Sequence, residues 1–281
     1  MKTIGFVDYF IDEWHSNNSL AFINELCEEY GYDFKVRYAW AETDTFEGKI
    51  STDEWCSLKG IERCNSIEEV CEKSDYLMIL APANPEKHLK YAETVLKYGK
   101  HTFIDKTFAP CSEEAEKMFE LAEKYGTRLF SASSLRYADE LDEYKDGFAS
   151  LIIRGGGRCF EEYVVHMLEI LVKLLGTGVD KVKVFPNGKQ VMCVIEYKNG
   201  KSCFFEYANS NGFSVVVEDE NGKDVGKNLT SPYFKNMTHS ILGFFETGEL
   251  PVAKEDTLEI IRVRDALLEG VERPDEWIKI Y

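Results

Sequence analysis

The sequence of 281 residues contains no C-x-x-C pair, although eight cysteines stand at 27, 56, 64, 71, 111, 159, 193 and 203. Without that pairing or a secretory context they read as reduced thiols, several of them small core residues. No apolar run reaches membrane-spanning length. The opening residues carry one lysine and then Asp8 and Asp12, without the apolar stretch of a signal peptide, so a cytoplasmic protein is expected. Positive charge is scarce: 33 Lys and Arg face 50 Asp and Glu, a net charge of -17. A phosphate backbone needs a basic footprint, so nucleic acid is excluded as a partner, and an anionic membrane surface with it. The surplus of acid serves solubility. A metal-dependent lyase or isomerase using His15, His88 or His166 with acids has no ligand spacing to recommend it, and no metal is expected. Internal repeats and low-complexity tracts are absent.

What is there suits two domains with a sizeable core and plentiful aromatics. The most informative stretch is Asp75 to Tyr137. Tyr76 to Ala81 is a short apolar run without alternation, which predicts a parallel strand covered on both faces. A helix from about Glu86 carries Leu89, Ala92, Val95 and Leu96 on one stripe and stops at Gly99. Thr102 to Asp105 predicts the next strand. Ser112, with Glu113 and Glu114 behind it, opens a helix that buries Ala115, Met118, Phe119 and Ala122 and ends at Gly126. Arg128 to Ala132 makes a further strand. Strand and helix alternating with connections this short require parallel pairing and right-handed crossovers. Ligands of such sheets bind beyond the carboxyl ends of the strands, where Asp105 and Lys106 close one strand and Asn84 stands near another. A lysine closing a buried strand is held by the sheet and is a candidate for chemistry, whereas a lysine taken at random is a solvated surface group.

Asn84-Pro85 with His88, Gly99-Lys100-His101, Asp105-Lys106-Thr107 and Leu135-Arg136-Tyr137, in that order, resemble the core of the glucose-fructose oxidoreductase and inositol dehydrogenase (Gfo/Idh/MocA) family. In that family the strand ends in Glu-Lys-Pro, and its lysine lies beside the nicotinamide and the substrate hydroxyl. Lys106 matches that lysine, while Asp105 and Thr107 depart from the commonest form. The resemblance implies an NAD or NADP cofactor, with Lys106 as a catalytic residue, Pro82, Asn84, His88 and Asp105 on the cofactor, and Arg136 and Tyr137 lining the substrate site.

The beginning of the chain departs from the family. Thr3 to Tyr9 predicts a strand and Asn18 to Tyr30 a helix, with DYFIDEWHSNN joining them. The family places G-x-G-x-x-G there, so that the backbone approaches a pyrophosphate at a helix N-terminus. Counted from Gly5, the glycine positions fall near Asp8, Phe10 and Glu13. Carboxylates repel a pyrophosphate and bulky side chains fill its path. Two readings stand side by side: a longer polar loop packed by Trp14, or a rebuilt cofactor site in which Asp8, Phe10, Trp14 and His15 replace the glycine turn. Phe34 to Ala41 alternates as a strand and ends at Glu42, an acidic residue placed to receive a ribose hydroxyl pair. Thr43 to Gly60 reads as a loop or short helix, and Ser66 with Glu69 as a capping box.

After Tyr137 the order of elements changes, and the acidic span Asp139 to Asp146 marks a boundary between residues 1–137 and residues 138–281. Ala149 to Arg154 reads as a strand. Gly155 to Gly157 then lead into a helix from about Cys159 to Leu175, as a flexible turn rather than the anion-binding nest that three glycines before a helix can also form. In the resembling family this helix carries Asp-x-x-x-His; Glu162 stands for the aspartate and His166 for the histidine, and Glu169 lies near the same face. Lys181 to Phe185, Gln190 to Tyr197, Ser202 to Ala208 and Phe213 to Glu218 supply a broad sheet, and helices over Tyr233 to Thr247 and Asp256 to Glu269 close the chain. The resemblance adds that the last helix packs on the first domain and that two such sheets pair in a homodimer or higher homo-oligomer. The expected fold class is α/β followed by α+β: a Rossmann-like doubly wound parallel sheet, then a large mostly antiparallel sheet packed by helices.

Two functions follow. One is an NAD(P)-dependent oxidoreductase acting on a sugar, polyol or related hydroxylated small molecule, with Lys106, His166 and Glu162 as its catalytic residues. The other is a cofactor-free relative that binds a small metabolite or a protein partner as a sensor or accessory subunit, favoured by the missing glycines.

Overall fold

The chain folds, in a computed structural model that describes residues 1–144, 150–218 and 221–280, as two units. The first comprises Met1–Ala132 and Met237–Lys254, the second Ser133–Asn236 and Glu255–Tyr281. The division thus falls at Ala132 and Ser133, and the chain returns to the first unit once before its end. From Glu255 onward the last helix belongs to the second unit.

In the first unit the elements run β1 (Lys2–Asp8), α1 (Trp14–Tyr30), β2 (Phe34–Ala41), α2 (Thr52–Lys59), β3 (Glu62–Arg63), α3 (Ile67–Lys73), β4 (Tyr76–Ile79), α4 (His88–Val95), β5 (Thr102–Ile104), α5 (Ser112–Tyr125) and β6 (Leu129–Ser131). The strands form one parallel sheet in the order β3-β2-β1-β4-β5-β6, so the order reverses between β1 and β4. Ile4, Phe6, Val7, Leu77, Met78 and Ile79 are fully buried, as strands covered on both faces require. Helix α3 packs so closely on β1 that a Cβ at Gly5 would lie 2.3 Å from Ser74 Oγ and 2.4 Å from Val70 Cγ1. Ser51 and Glu54 form a full capping box on α2, an element that the polar composition of residues 43–60 left open as loop or helix.

Helix α1 begins at Trp14, four residues before the expected start at Asn18, because Glu13 caps it. From Met237 onward, α7 (Tyr233–Thr247) packs against the amino ends of the strands. Phe245 stacks on Tyr76 at 4.9 Å between ring centroids, and Phe244 on His101 at 5.1 Å. The amino edge of the sheet is thereby closed by aromatic packing, and the carboxyl edge is left to the loops.

In the second unit follow β7 (Ser150–Gly155), α6 (Phe160–Leu175), β8 (Val179–Asn187), β9 (Gln190–Tyr197), β10 (Ser202–Tyr207), β11 (Ser214–Glu218), β12 (Asp224–Asn228), α8 (Lys254–Glu272) and β13 (Trp277–Lys279). Their sheet has the order β12-β11-β7-β10-β9-β8-β13 and is antiparallel except where β7 and β10 run parallel. Ala149 of the expected strand and Asp146 of the expected boundary lie outside the described residues. On the inner face Leu151, Ile153, Cys193, Ile195, Cys203 and Phe205 form the core with Val164, Met167, Leu168 and Leu171 of α6. The glycine run before α6 serves close packing: a Cβ at Gly156 would sit 2.3 Å from the Ala208 carbonyl oxygen. All eight cysteines are free thiols. Among the described residues, no helix is long and apolar enough to cross a membrane, and no group of three or more His, Cys, Asp or Glu could hold a metal ion.

Candidate active site

The carboxyl edge of the parallel sheet gathers the loops after β1, β4 and β5. Lys106 follows β5 and is 6% exposed; its Nζ donates to the Pro82 carbonyl oxygen at 3.1 Å, and an ammonium has two further protons to give. The Lys106–Thr107 peptide bond is cis. Asp105 beside it is buried, accepts the Lys106 N–H through Oδ1 at 2.7 Å and meets His15 Nδ1 through Oδ2 at 2.5 Å. Burial works to raise the Asp105 carboxyl, but His15 and Lys106 outweigh it and hold the group below the ordinary aspartate value. Trp14, exposed at the start of α1, stands edge-on to His15. Asp105, His15, Lys106 and Pro82 are thus brought together.

Asp8 ends β1 and is buried. Its Oδ1 accepts the N–H groups of Tyr9 at 2.7 Å, Phe10 at 3.3 Å and Ala81 at 2.9 Å. Ala81 has a φ of 50°, in the left-handed region that an alanine adopts at some cost, and the Asp8 carboxylate holds it there. Asp8 Oδ2 is buried and makes no hydrogen bond among the described residues. Burial and the charge of Glu13 push the Asp8 carboxyl well above the ordinary aspartate value. Glu13 accepts the N–H of His15 at 2.7 Å and that of Ser16, two of the donors at the start of α1. Phe10 is buried against Phe46, with rings 4.8 Å apart edge to face.

Three other residues of the cofactor expectation have internal partners. Glu42 accepts from Lys87 at 2.7 Å, Lys90 at 2.8 Å and Tyr91 at 2.9 Å, and these lysines hold its carboxyl down at about 2. Asn84 donates to Glu86 at 3.0 Å. His88 is fully buried, with Nε2 2.7 Å from the Leu80 carbonyl oxygen and Nδ1 3.0 Å from that of Phe108; burial lowers its pKa. It ties the end of β4 to the loop after β5.

The second unit holds a separate cluster. Nδ1 of His166, on α6, is hydrogen-bonded to Ser133 Oγ, which fixes the imidazole plane. Ser133 donates its N–H to Glu169 Oε1 at 2.6 Å. Arg136 lies between Glu169, at 3.3 Å, and Asp256. Burial raises the Glu169 carboxyl to about 7 against the pull of Arg136. Glu162 is bound to Arg158 one turn earlier, at 2.6 Å. The Tyr137 carbonyl oxygen accepts from Asn236 at 3.0 Å. Ser133 and Asp256 escaped sequence reasoning. The only local signal for Ser133 was its place just after a predicted strand, and Asp256 lies 120 residues from its arginine.

This geometry can be set against known proteins. Residues 47–133 match the model of the oxidoreductase family with an NAD-binding Rossmann fold, Gfo/Idh/MocA. The likeness to that family's model is carried by those residues. An uncharacterized oxidoreductase of Escherichia coli K12, YhhX, is 22% identical over 107 residues, which make up 38% of this chain and 31% of that protein. The match therefore spans about a third of that relative's length. Among solved structures, scyllo-inositol dehydrogenase of Lactobacillus casei, with NAD(H) and scyllo-inositol bound, superposes with a TM-score of 0.79 at 14% identity, covering 100% of this chain and 99% of that one. A probable dehydrogenase of Thermotoga maritima gives 0.76 at 15% identity, covering 99% and 98%. At these identities the likeness is one of fold, and it is the expected Gfo/Idh/MocA fold: a Rossmann-like parallel sheet followed by a large, mostly antiparallel one.

The matched model is described as an NAD-binding Rossmann fold, and ligands of such sheets bind beyond the carboxyl ends of the strands. The residues here suit a dinucleotide at the order reversal between β1 and β4 and at Lys106, whereas the buried Asp8 carboxyl opposes a phosphate. The turn into α1 is at odds with it as it stands, since Glu13 holds the amides that a phosphate would use.

Proposed function

We propose that the protein is an NAD(P)-linked oxidoreductase acting on a sugar, polyol or related hydroxylated small molecule. The observation that carries this reading is Lys106, an ammonium group held nearly out of solvent at the end of a covered parallel strand and anchored by the Pro82 carbonyl. The bound nicotinamide would supply the site that gives or takes the hydride. Lys106 would hold the substrate hydroxyl and stabilise negative charge developing on its oxygen. His166, fixed through Nδ1 by Ser133, would move the proton from Nε2. Arg136 and Tyr137 would line the substrate side, and Glu162 would orient the substrate or the histidine on leaving Arg158.

Lys106→Met tests this: the variant should fold and melt as the wild type does while losing turnover of NAD+ or NADP+ with a panel of polyols and sugars. An unchanged kcat refutes the role of Lys106. The cofactor-free reading has one observation in its favour, the Glu13 carboxylate on the α1 amides. Micromolar binding of NADH or NADPH in a fluorescence titration would rule it out.

The acidic chain with eight free thiols suits a reducing cytoplasm, which is our proposed location. For the quaternary state we propose a homo-oligomer built on the outer face of the seven-stranded sheet. There Val216, Ile152, Phe204 and Val194 stand in cross-strand register, with Ile152 41% and Phe204 42% exposed. Such a row is unusual on a monomer's surface. Ile152→Lys with Phe204→Lys should give a folded monomer by light scattering; a wild type that is itself monomeric at micromolar concentration refutes the assembly.

A further inference from the structure

Asp105 stands immediately before Lys106 and is 1% exposed, so its oxygens need partners inside the protein. Its own N–H donates to the Ile79 carbonyl oxygen at 2.9 Å, which fixes its main chain to the sheet. Oδ1 accepts the Lys106 N–H at 2.7 Å, and Oδ2 meets Nδ1 of His15 at 2.5 Å. An ionised carboxylate only accepts, so the hydrogen between them belongs to Nδ1. His15 comes from the start of α1, 90 residues away in the chain. Its placement is set by Glu13, which accepts its N–H at 2.7 Å, and by Trp14, edge-on to its ring at 5.3 Å. The bond thus ties α1 to the end of β5 across β4, the strand that lies between β1 and β5 in the sheet. Lys106 is held at both ends: its main chain by Asp105, and its Nζ by the Pro82 carbonyl oxygen at 3.1 Å. Rotation about the last bond of an aspartate is soft, and the Lys106 N–H alone leaves the carboxylate able to turn. The bond from His15 to the second oxygen stops that rotation.

We infer that His15 is a positioning residue for the proposed reaction: its Nδ1–H fixes the Asp105 carboxylate, and the carboxylate fixes the main chain of Lys106, whose ammonium is to meet the substrate oxygen. This rests on the reading of the chain as an oxidoreductase that works through Lys106. His15 and Asp105 then serve the lysine and not the cofactor, to which the expected site had given them. A misplacement of about 1 Å at a reacting group costs on the order of a hundredfold in rate, so a modest turn of Asp105 is enough to be read in kcat.

The test uses the full chain as wild type, His15→Phe and His15→Asn. Phenylalanine keeps a ring beside Trp14 and removes the donor. Asparagine gives up the ring and places an amide N–H as many bonds from Cβ as Nδ1 is. Turnover of NAD+ or NADP+ with the panel of polyols and sugars is measured beside hydrogen exchange of the Lys106 amide, which needs neither cofactor nor substrate. In His15→Phe, kcat should fall about tenfold or more with KM little changed, and the Lys106 amide should exchange about tenfold or more faster while the β5 amides keep their rates. His15→Asn should recover most of both losses. An unchanged Lys106 exchange rate or an unchanged kcat in His15→Phe overturns the inference and leaves the oxidoreductase reading standing. So does a His15→Asn that falls as far as His15→Phe, because the imidazole then acts by more than its Nδ1–H. A loss confined to KM overturns it as well, since that marks a binding contact. A wild type that turns over no member of the panel overturns the functional reading and the inference with it. Should His15→Phe fail to fold in a melting curve, His15→Ala decides on the same criteria.

Discussion

Replacing Glu169 by glutamine should remove a pH dependence of stability from the second unit. Glu169 is 3% exposed, and its two oxygens meet the Ser133 N–H and Arg136. Burial raises its carboxyl from 4.5 to about 7. A folded-state pKa above the unfolded one means that the folded protein favours the protonated acid. The contribution to stability is therefore complete below pH 4.5, declines as pH rises toward about 7 and is flat beyond. At ~1.4 kcal/mol per pH unit the full span is about 3 kcal/mol, a large part of an ordinary domain's stability. The assay is hydrogen exchange of the α6 amides, or urea denaturation followed by a probe in the second unit, at intervals from pH 5 to pH 8. Wild type should weaken across that window relative to Glu169→Gln, by most of the span. Parallel profiles for the two proteins would refute the reasoning, since they would mean that Arg136 keeps the carboxylate ionised throughout.

Other consequences can be measured independently. Ser133→Ala releases His166 Nδ1; under the proposed function turnover should fall about tenfold or more and the acid limb of its pH profile should move, which a merely structural serine would not cause. Gly156→Ala drives a methyl group into the Ala208 carbonyl oxygen, 2.3 Å from where its carbon must sit, and should destabilise the second unit by about 2 kcal/mol or more in urea denaturation. Asn17→Ala strips the buried Trp55 indole of its acceptor at 2.9 Å and should cost about 1–3 kcal/mol by the same assay. Lys87→Met with Lys90→Met removes the two cations holding Glu42 near 2, so its carboxyl should titrate closer to 4.5 in a carbon-detected NMR titration; an unmoved Glu42 would contradict the assignment.

Much of the parallel sheet was legible because its signals are local. The apolar run at Tyr76, the amphipathic stripe of Ala115, Met118, Phe119 and Ala122, and the glycine stops each sit within one element, and each element forms where its residues place it. Lys106 could be singled out for the same reason, since the strand that presents it announces itself. The edge strands β3, β12 and β13 could not be read. Asp-Val-Gly-Lys-Asn has no strand preference of its own, and β12 exists through its pairing with β11. His88 entered through the family resemblance; its ring reaches carbonyls 8 and 20 residues away, a tie that no local pattern shows.

The loop DYFIDEWHSNN shows where pattern gives way to geometry. Its composition is compatible both with a long polar loop and with an early helix, because an acidic residue before Trp14 is a cap only if the backbone brings its carboxylate onto the amides of His15 and Ser16. That placement follows from β1, whose terminal Asp8 binds the amides of Tyr9 and Phe10 and so sets the direction in which the chain leaves the sheet. The acids that replace two glycines therefore act in series: Asp8 turns the chain, and Glu13 closes the helix. Glycines would leave the amides open to an outside anion, whereas this pair fills them from within. Loss of the glycine signature thus goes with a turn whose His15 and Ser16 amides are satisfied from within, and the rest of the sheet's carboxyl edge keeps its lysine, its carboxylate and its order reversal.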